Sequence, residues 1–302
     1  MRTLTDHPMD DFPVRPLQFP MDKVGNHNLV WSRTKPEFSV FLNALGLHVP
    51  HFERYLIRAL RSAKEQMPDE SLRRDISAII GQEAHHAKNF VLFNQALSKK
   101  YPKCAQFDRE ASEYFIARSA RDSLKVQVGF TAGYETFTFL AVMIILQNYD
   151  KWFADSDPVM KAMWVWHQVE EVEHGAVAFE VYKALYGKHE WYRKWMVLRA
   201  LLHLAGEAIK TYVHMTRVEG WLRNPFSAIS KIGFLGEMIV RLLVAAAPVM
   251  RRDYHPRLHP IVTTQQNAIQ MAWRRFEGAG GDVLEIDHQK MAQIMGLENV
   301  DH

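Results

Sequence analysis

The sequence lacks several features that mark disulfide-stabilised, nucleic-acid-binding or secreted proteins. It has a single cysteine, Cys104, among 302 residues, which excludes an intrachain disulfide framework and favours a reducing compartment. Its formal net charge is only +3, without long runs of like charge, so we expect no nucleic-acid partner. The N-terminal residues include acids and prolines but no apolar core, and they do not resemble a secretory signal. We therefore expect a cytoplasmic protein.

The sequence also lacks an uninterrupted apolar run that would indicate a membrane-spanning helix. The most apolar windows are residues 138–147, which are too short, and residues 234–250, which contain Glu237 and Arg241. Hydrophobic residues make up 48% of the chain and charged residues 24%, which is ordinary for a globular protein with a sizeable core. No stretch alternates between apolar and polar residues in the manner of a strand, so we predict an all-α protein.

Helical patterns cover most of the chain after an extended N-terminal arm, which we assign to residues 1–35 because of their Pro, Asp and Asn content. Four long helical regions are predicted, at about 36–67 with a break near Pro50, 68–100, 108–149 and 155–187. The third could be kinked, because it contains Gly129 and Gly133. Together they predict a four-helix bundle over residues 36–187.

Further helices are predicted in residues 188–302, and we expect them to pack on the bundle within one structural domain. They lie at about 190–217, 226–250 and 260–277, with a short helix in 282–295. The first of them begins with aromatic and basic residues. It could therefore rest on a membrane surface or cover a lipid-like substrate, but packing on the bundle is the favoured interpretation. His203 and Glu207 on this helix are expected to form a hydrogen bond between helices rather than to support a site.

Ionisable residues interrupt the apolar stripe of the fourth predicted helix, in the segment WHQVEEVEHG. His167, Glu171 and His174 lie at i, i+4 and i+7, and apolar residues continue the same line on both sides. Glu170 and Glu173 are rotated away from that line by about 100° or more, so a flanking or outward position is predicted for them. A solvated helix face therefore does not explain the three residues on the stripe.

The other predicted helices each place an ionisable residue on an apolar stripe as well. The second helix contributes Glu83 and His86, the third contributes Glu135, and the first contributes Glu53. Burying a lone carboxylate is costly unless it is paired, hydrogen-bonded or bound to a metal. Because four helices each direct such a residue toward the core, a shared cation is the simplest explanation.

The order of these residues is more informative than any single pair. Chance placement of 19 Glu and 15 His predicts roughly one Glu-x-x-His pair, whereas three occur. The third, Glu285 with His288, lies in the polar tail and is interpreted as the chance one. The ordered set of Glu, Glu-x-x-His, Glu and Glu-x-x-His is that of carboxylate-bridged di-metal sites in ferritin-like bundles. The alternative is a group of buried salt bridges without metal.

Four segments resemble a bacterial family catalogued as predicted metal-dependent hydrolases with a ferritin-like bundle. They are VRPLQFP, FLNALGLHVPHFERYLIRALR, IIGQEAHHAKNFVLFNQAL and WHQVEEVEHGAVAFEVY. The resemblance covers most of residues 13–190, and YHPRLHP at 254–260 is similar to the family's C-terminal segment. It implies a metal-dependent enzyme with an all-α, ferritin-like four-helix bundle and additional C-terminal helices.

The metal set also resembles that of the di-iron p-aminobenzoate N-oxygenase, which adds a histidine one turn before the last Glu-x-x-His. That resemblance implies seven metal ligands, namely Glu53, Glu83, His86, Glu135, His167, Glu171 and His174. Among them Glu83, Glu135 and Glu171 are expected to matter most for activity.

The predicted ligands indicate the metal and two kinds of chemistry. Four carboxylates balance two divalent cations, and carboxylate with imidazole suits iron, or manganese as the alternative. As a di-iron site the centre would activate O2 to oxidise a small organic or lipid-like substrate, which is the favoured hypothesis. A metal-dependent hydrolase that uses a metal-bridging water is the alternative, and non-catalytic iron binding is the third. The sequence indicates neither the electron donor nor the oligomeric state, although a homodimer is considered.

Overall fold

The computed structural model describes residues 7–21, 29–262, 267–286 and 293. Over these ranges the chain is α-helical and contains no β-strand, so the predicted all-α class is confirmed. The α-helices, in chain order, are α1 Pro36–Gly46, α2 Val49–Lys64, α3 Glu70–Lys100, α4 Cys104–Arg121, α5 Leu124–Leu146, α6 Tyr149–Trp152, α7 Pro158–Glu173, α8 Val177–Tyr186, α9 Glu190–Val218, α10 Pro225–Ala246 and α11 Ala268–Gly278. Short 3-10 turns occur at Trp221–Arg223, Ala247–Met250 and Pro256–Leu258.

Two predicted helix boundaries are confirmed. The predicted break near Pro50 lies between α1 and α2, where a proline occupies the first turn of α2. The helix predicted from residue 68 begins as α3, and the side chain of Asp69 accepts a hydrogen bond from the Ser71 backbone N–H over 2.8 Å.

The third predicted region is wrong in one respect, because it consists of two helices rather than one. The chain leaves helical geometry at Asp122, whose carboxylate accepts hydrogen bonds from Arg118 Nε at 2.6 Å and from Tyr55 Oη at 3.1 Å. The glycines inside α5 allow another helix to pack closely against it. A Cβ atom added at Gly133 would lie 2.8 Å from the carbonyl oxygen of Met196 on α9.

The fourth predicted region is also two helices, with a break between α7 and α8. The break follows His174, and Gly175 lies within it, where an added Cβ would be 3.0 Å from Cδ2 of Phe139. A candidate ligand thus lies where α7 ends. The helix predicted in residues 282–295 falls mostly outside the described residues, as does His288.

The core has two apolar clusters with a polar layer between them. On α3, Ile76 and Ile79 belong to one cluster, whereas Phe90 and Phe93 belong to the other. Buried Glu and His side chains of α2, α3, α5 and α7 occupy the space between the two clusters. The four helices of the predicted bundle therefore bring their ionisable residues to one level of the core.

Helices α9 and α10 form an antiparallel hairpin against the bundle. At one end Tyr212 Oη donates to the carbonyl oxygen of Lys231 over 2.9 Å, and at the other end Arg193 Nη2 donates to that of Val249 over 2.8 Å. Two described helical segments are long and apolar enough to cross a membrane by length and composition, namely Leu124–Leu146 and Pro225–Met250. The first is 94% buried over its most apolar window, as in a core helix, but the second is only 22% buried.

Candidate metal centre

All seven predicted ligands are buried and meet between the two apolar clusters. Donor atoms of Glu53, His86, His167 and Glu171 lie within 4.8 Å of one another, and so do those of Glu83, Glu171 and His174. Because Glu171 belongs to both groups, the structure places two donor clusters side by side with one carboxylate between them. Their assignment as metal ligands stays a prediction.

Glu171 and Glu135 complete the arrangement. Glu171 Oε1 lies 3.3 Å from Nε2 of His167, and its Oε2 lies 3.4 Å from Nε2 of His174. Glu135, which is outside both groups of donors, places Oε2 at 3.4 Å from the same nitrogen of His174. A carboxylate whose two oxygens face different imidazoles has the position expected of a bridging ligand.

Most donor atoms of this cluster have no hydrogen-bond partner among the described residues. These atoms are both carboxylate oxygens of Glu53 and of Glu83, Oε2 of Glu135 and of Glu171, Nδ1 of His86, both ring nitrogens of His167, and Nε2 of His174. Buried polar atoms are normally hydrogen-bonded, because leaving them unpaired costs free energy. Several oxygens and nitrogens that converge without hydrogen bonds therefore fit a bound cation.

The crowding of the carboxylates perturbs their proton affinities in the metal-free chain. Burial raises the pKa of Glu53 well above its ordinary value and raises that of Glu135 to about 8. Burial would also raise the pKa of Glu171, but the His174 imidazole outweighs it and holds this pKa at about 2. In the metal-free chain Glu53 and Glu135 therefore keep their protons near neutral pH, and a bound cation would displace these protons.

His86 is oriented by a carboxylate outside the cluster. Its Nε2–H donates to Oε2 of Glu170 over 2.9 Å, so Nδ1 faces Glu83 at 3.5 Å and Glu53 at 3.6 Å. Glu170 in turn accepts a hydrogen bond from Nη1 of Arg15 over 3.0 Å. Metal-binding histidines commonly make this kind of outer hydrogen bond, which fixes the tautomer and the ring orientation.

His174 is oriented in the same way through an amide. Gln82 Nε2 donates to Oε2 of Glu173 at 3.0 Å, so its Oε1 accepts from Nδ1–H of His174 at 2.9 Å. Nε2 of His174 therefore faces the cluster. Glu173 is paired with both Arg15 and Arg274, at 2.8 Å each.

Of the flanking or outward position predicted for Glu170 and Glu173, the outward alternative is wrong, because both side chains are fully buried. Their charges are neutralised by Arg15 of the N-terminal arm and Arg274 of α11, neither of which the sequence analysis identified. A signal was available in the sequence, since α7 is rich in apolar residues on all sides, as expected for a central helix.

His167 differs from the other two histidines because no residue in the described part of the chain hydrogen-bonds its ring from outside the cluster. Its ring lies between His86 and Phe90, at centroid distances of 4.5 and 4.9 Å. Burial, with the nearby His86, lowers the pKa of His167 to about 3. The imidazole is therefore neutral and keeps a lone pair, as a metal ligand requires.

An apolar cavity reaches the cluster at His167. Helices α1, α2, α5, α7, α9 and α10 line it with mainly hydrocarbon side chains, among them Phe41, Phe52, Phe137, Val142, Leu204 and Met238. Four residues of its lining have unpartnered polar atoms among the described residues, namely Nδ1 of His48, Nε1 of Trp164, both ring nitrogens of His167 and both amide atoms of Gln168. The cavity is therefore predominantly apolar, with a few polar atoms that no described residue hydrogen-bonds.

The residues His203 and Glu207 on α9 do not join the cluster. Tyr134 Oη and Nδ1 of His203 are hydrogen-bonded at 2.5 Å, and Glu207 is ion-paired with Lys210. The expectation of an interhelical hydrogen bond is therefore confirmed for His203.

Comparison with known proteins identifies a family but no characterised relative. A family model described as predicted metal-dependent hydrolase matches residues 13–260, which is more than half of the chain. No curated protein matches the chain, and no solved structure matches it. The resemblance found in the sequence segments is thereby confirmed.

Proposed function

We propose that this chain, which belongs to the family of predicted metal-dependent hydrolases, binds two divalent metal ions in its buried cluster and hydrolyses an ester or phosphate bond of a substrate with an apolar chain. The observation that carries the proposal is the set of unpartnered carboxylate and imidazole atoms at the end of an apolar cavity. This proposal replaces the oxygenase as the leading hypothesis, because family membership favours hydrolysis.

The ligands would divide between the two ions according to their positions. One ion would be held by Glu53, His86 and His167, the other by Glu83, Glu135 and His174, with Glu171 between them. Four carboxylates would balance the charge of two divalent cations. Bound ions of this kind supply Lewis acidity and lower the pKa of a bound water.

The chain's own contribution to the reaction would begin with Gln168. Its carboxamide is buried, lines the cavity next to His167 in the sequence, and has neither atom hydrogen-bonded within the described residues. The amide N–H2 would donate to the carbonyl or phosphoryl oxygen of a substrate and so fix the scissile bond near the cluster.

His48 would assist at the same cavity. Burial lowers its pKa to about 3, so the ring is neutral, and its Nε2 already pairs with Oγ1 of Thr211 at 3.2 Å. The remaining Nδ1 is unpartnered among the described residues and can hydrogen-bond a second polar atom of the substrate. The apolar lining would bind the hydrocarbon part and exclude bulk water.

A second candidate is an oxygenase that uses iron at the same centre to oxidise the substrate with O2. The observation that favours it is the cavity lining, which offers hydrocarbon contacts along most of its length and few groups for a polar leaving group. The donor set also contains no thiolate, and carboxylate with imidazole suits iron.

One reconstitution experiment separates the two candidates. Metal-free protein is reloaded without oxygen with iron(II), manganese(II) or zinc(II), and metal per chain is measured by elemental analysis. Turnover of p-nitrophenyl acetate, p-nitrophenyl octanoate and bis(p-nitrophenyl) phosphate is then followed, together with O2 uptake by the iron form. We expect about two ions per chain, metal-dependent hydrolysis, and a higher kcat/KM for octanoate than for acetate because of the apolar cavity.

The control is Glu37→Gln, which removes a buried carboxylate that pairs with Lys35 and Lys231 away from the cluster. This variant should bind both metals and keep turnover. Absence of hydrolysis with every metal, combined with O2 uptake by the iron form, would decide for the oxygenase.

A further inference from the structure

The hairpin of α9 and α10 exposes two apolar stripes on its outer side. On α10 the stripe includes Phe226, Ile229, Val240 and Val244, which are 83%, 70%, 60% and 70% exposed. These positions follow helical spacing and so lie on one face. The opposite face of α10 is buried against the protein through Phe234, Leu235 and Met238. The outward face of α10 is therefore largely apolar, with Glu237 and Arg241 as ion-paired interruptions, and no described residue covers it.

The outer side of α9 continues this pattern. Trp191, Trp195, Leu198, Leu202 and Ile209 follow helical spacing, and all five are exposed. Their first two members are tryptophans, which favour the boundary between water and lipid because the ring is apolar and the indole N–H is polar. Single exposed apolar residues are ordinary, but contiguous stripes on two adjacent helices mark an interaction surface.

The charge of this hairpin is opposite to that of the rest of the chain. Residues 190–252 contain ten Lys and Arg against four Glu, a net charge of +6. The whole chain has 37 Lys and Arg against 34 Asp and Glu, so the remainder carries a net −3. Each of the four Glu has an ion-pair partner: Glu190 pairs with Arg193, Glu207 with Lys210, Glu219 with Lys100 and Glu237 with Arg241. Five of the ten basic residues are exposed, namely Arg217, Arg223, Arg241, Arg251 and Arg252, whereas Glu237 alone of the four Glu is exposed.

We infer that the outer face of α9 and α10 docks the protein on a bilayer that contains anionic phospholipid. An apolar face with tryptophans and a surplus of basic residues fits the interfacial zone of such a membrane, where hydrocarbon and phosphate are both within reach. Helix α10 lies in the plane of the surface rather than across the bilayer, because the hydrogen bonds of Tyr212 and Arg193 hold both ends of the hairpin and Met238 is buried against the bundle.

The docking face lies over the apolar cavity. Leu204 and Ala208 of α9 and Leu235 and Met238 of α10 line the cavity from the inner side of the hairpin, and Ile209 both lines it and is exposed. An acyl chain could therefore pass from the membrane between the helices toward His167. This use of the face as a substrate entrance rests on the proposed function, whereas the docking itself does not.

Vesicle flotation of the full-length protein tests the inference. We expect flotation with vesicles of phosphatidylcholine and phosphatidylglycerol, and much weaker flotation with phosphatidylcholine alone. The double variant Ile229→Glu/Val240→Glu should reduce the partition coefficient about tenfold or more, because it places two charges on the apolar stripe. Arg251→Ser/Arg252→Ser should reduce binding to the anionic vesicles only. The matched control is Ile116→Glu on α4, which changes an equally exposed apolar residue on another surface and should float as the wild type does.

Several outcomes would overturn the inference. One is equal flotation of all variants, and another is equal binding to both kinds of vesicle. A third is a wild-type protein that does not bind vesicles and sediments as a dimer, while the double Glu variant sediments as a monomer. In that case a second copy of the chain would cover the face. Failure of the proposed function looks different. In that case flotation persists without metal-dependent turnover, whereas failed docking appears as absence of flotation by a protein that still hydrolyses water-soluble p-nitrophenyl acetate.

Discussion

Glu170 gives the sharpest test of how the centre is built, because it contacts His86 without being a candidate ligand. It accepts from His86 Nε2–H over 2.9 Å and from Arg15 over 3.0 Å, and its side chain is fully buried. Glu170→Gln keeps an oxygen that can accept from His86 but removes the charge. Glu170→Ala removes the acceptor as well, so that His86 loses its fixed tautomer.

The expected magnitudes follow from these contacts. Loss of an outer hydrogen bond to a metal-binding histidine costs about 10- to 100-fold in metal affinity. We place Glu170→Gln near the lower value, about 1.4 kcal/mol, and Glu170→Ala near the upper value, about 2.8 kcal/mol. Folding should survive, since Arg15 retains bidentate hydrogen bonds to Glu173 and a further pair with Glu277.

The assay is anaerobic competition for iron(II) or manganese(II) against a coloured chelator, with circular dichroism to verify helicity. Glu37→Gln, another buried and ion-paired glutamate, is the control and should bind metal as the wild type does. If Glu170→Ala is folded and binds metal with unchanged affinity, then Glu170 does not orient His86 for a metal and the reasoning fails.

The remaining predictions concern two residues within the cluster. Glu135→Gln should abolish metal-dependent turnover while helicity is kept. Its metal-free form should unfold at about the wild-type temperature at neutral pH, because burial raises the pKa of Glu135 to about 8 and a neutral carboxyl is thus replaced by a neutral amide. A variant with full turnover in the presence of metal contradicts this. His167→Ala should retain about two metal ions but lose most of its activity, since the imidazole is a neutral donor beside the cavity. Elemental analysis and turnover measurements on one sample test this prediction. If the variant has wild-type turnover, His167 is a buried core histidine without a role in the reaction.

Much of the fold followed from local signals, and the errors have local causes. Proline marks the start of α2 in the sequence because it restricts the residue before it. The break between α4 and α5 was missed although Asp122 and Ser123, two residues favoured at helix ends, stand at that point. The break after His174 depends on how closely Gly175 approaches Phe139, which is a contact between distant parts of the chain. Periodicity alone could not predict it.

The positions of the candidate residues were predictable where helical spacing determines the direction in which a side chain points. All seven expected ligands lie together, because residues on the apolar stripe of each helix face the same core. Their role as metal ligands stays a prediction, as does the division of the chain into arm, bundle and appended helices. Helical spacing did not predict the burial of Glu170 and Glu173. It indicates which way a residue points, but not whether another element covers that side of the helix.

The element that covers this side of α7 is the N-terminal arm, which the sequence presented only as an extended segment. The carbonyl oxygen of Pro13 accepts from Gln82, Arg15 binds Glu170 and Glu173, and the Phe19 N–H donates to Asn89. Each contact is made by a residue without helical periodicity, so no pattern within the arm could reveal it. The arm supplies the positive charge that allows two further carboxylates to be buried beside the cluster. Those carboxylates orient His86 directly and His174 through Gln82, and in this way the arm helps to set the geometry of a cluster to which its described residues contribute no candidate ligand.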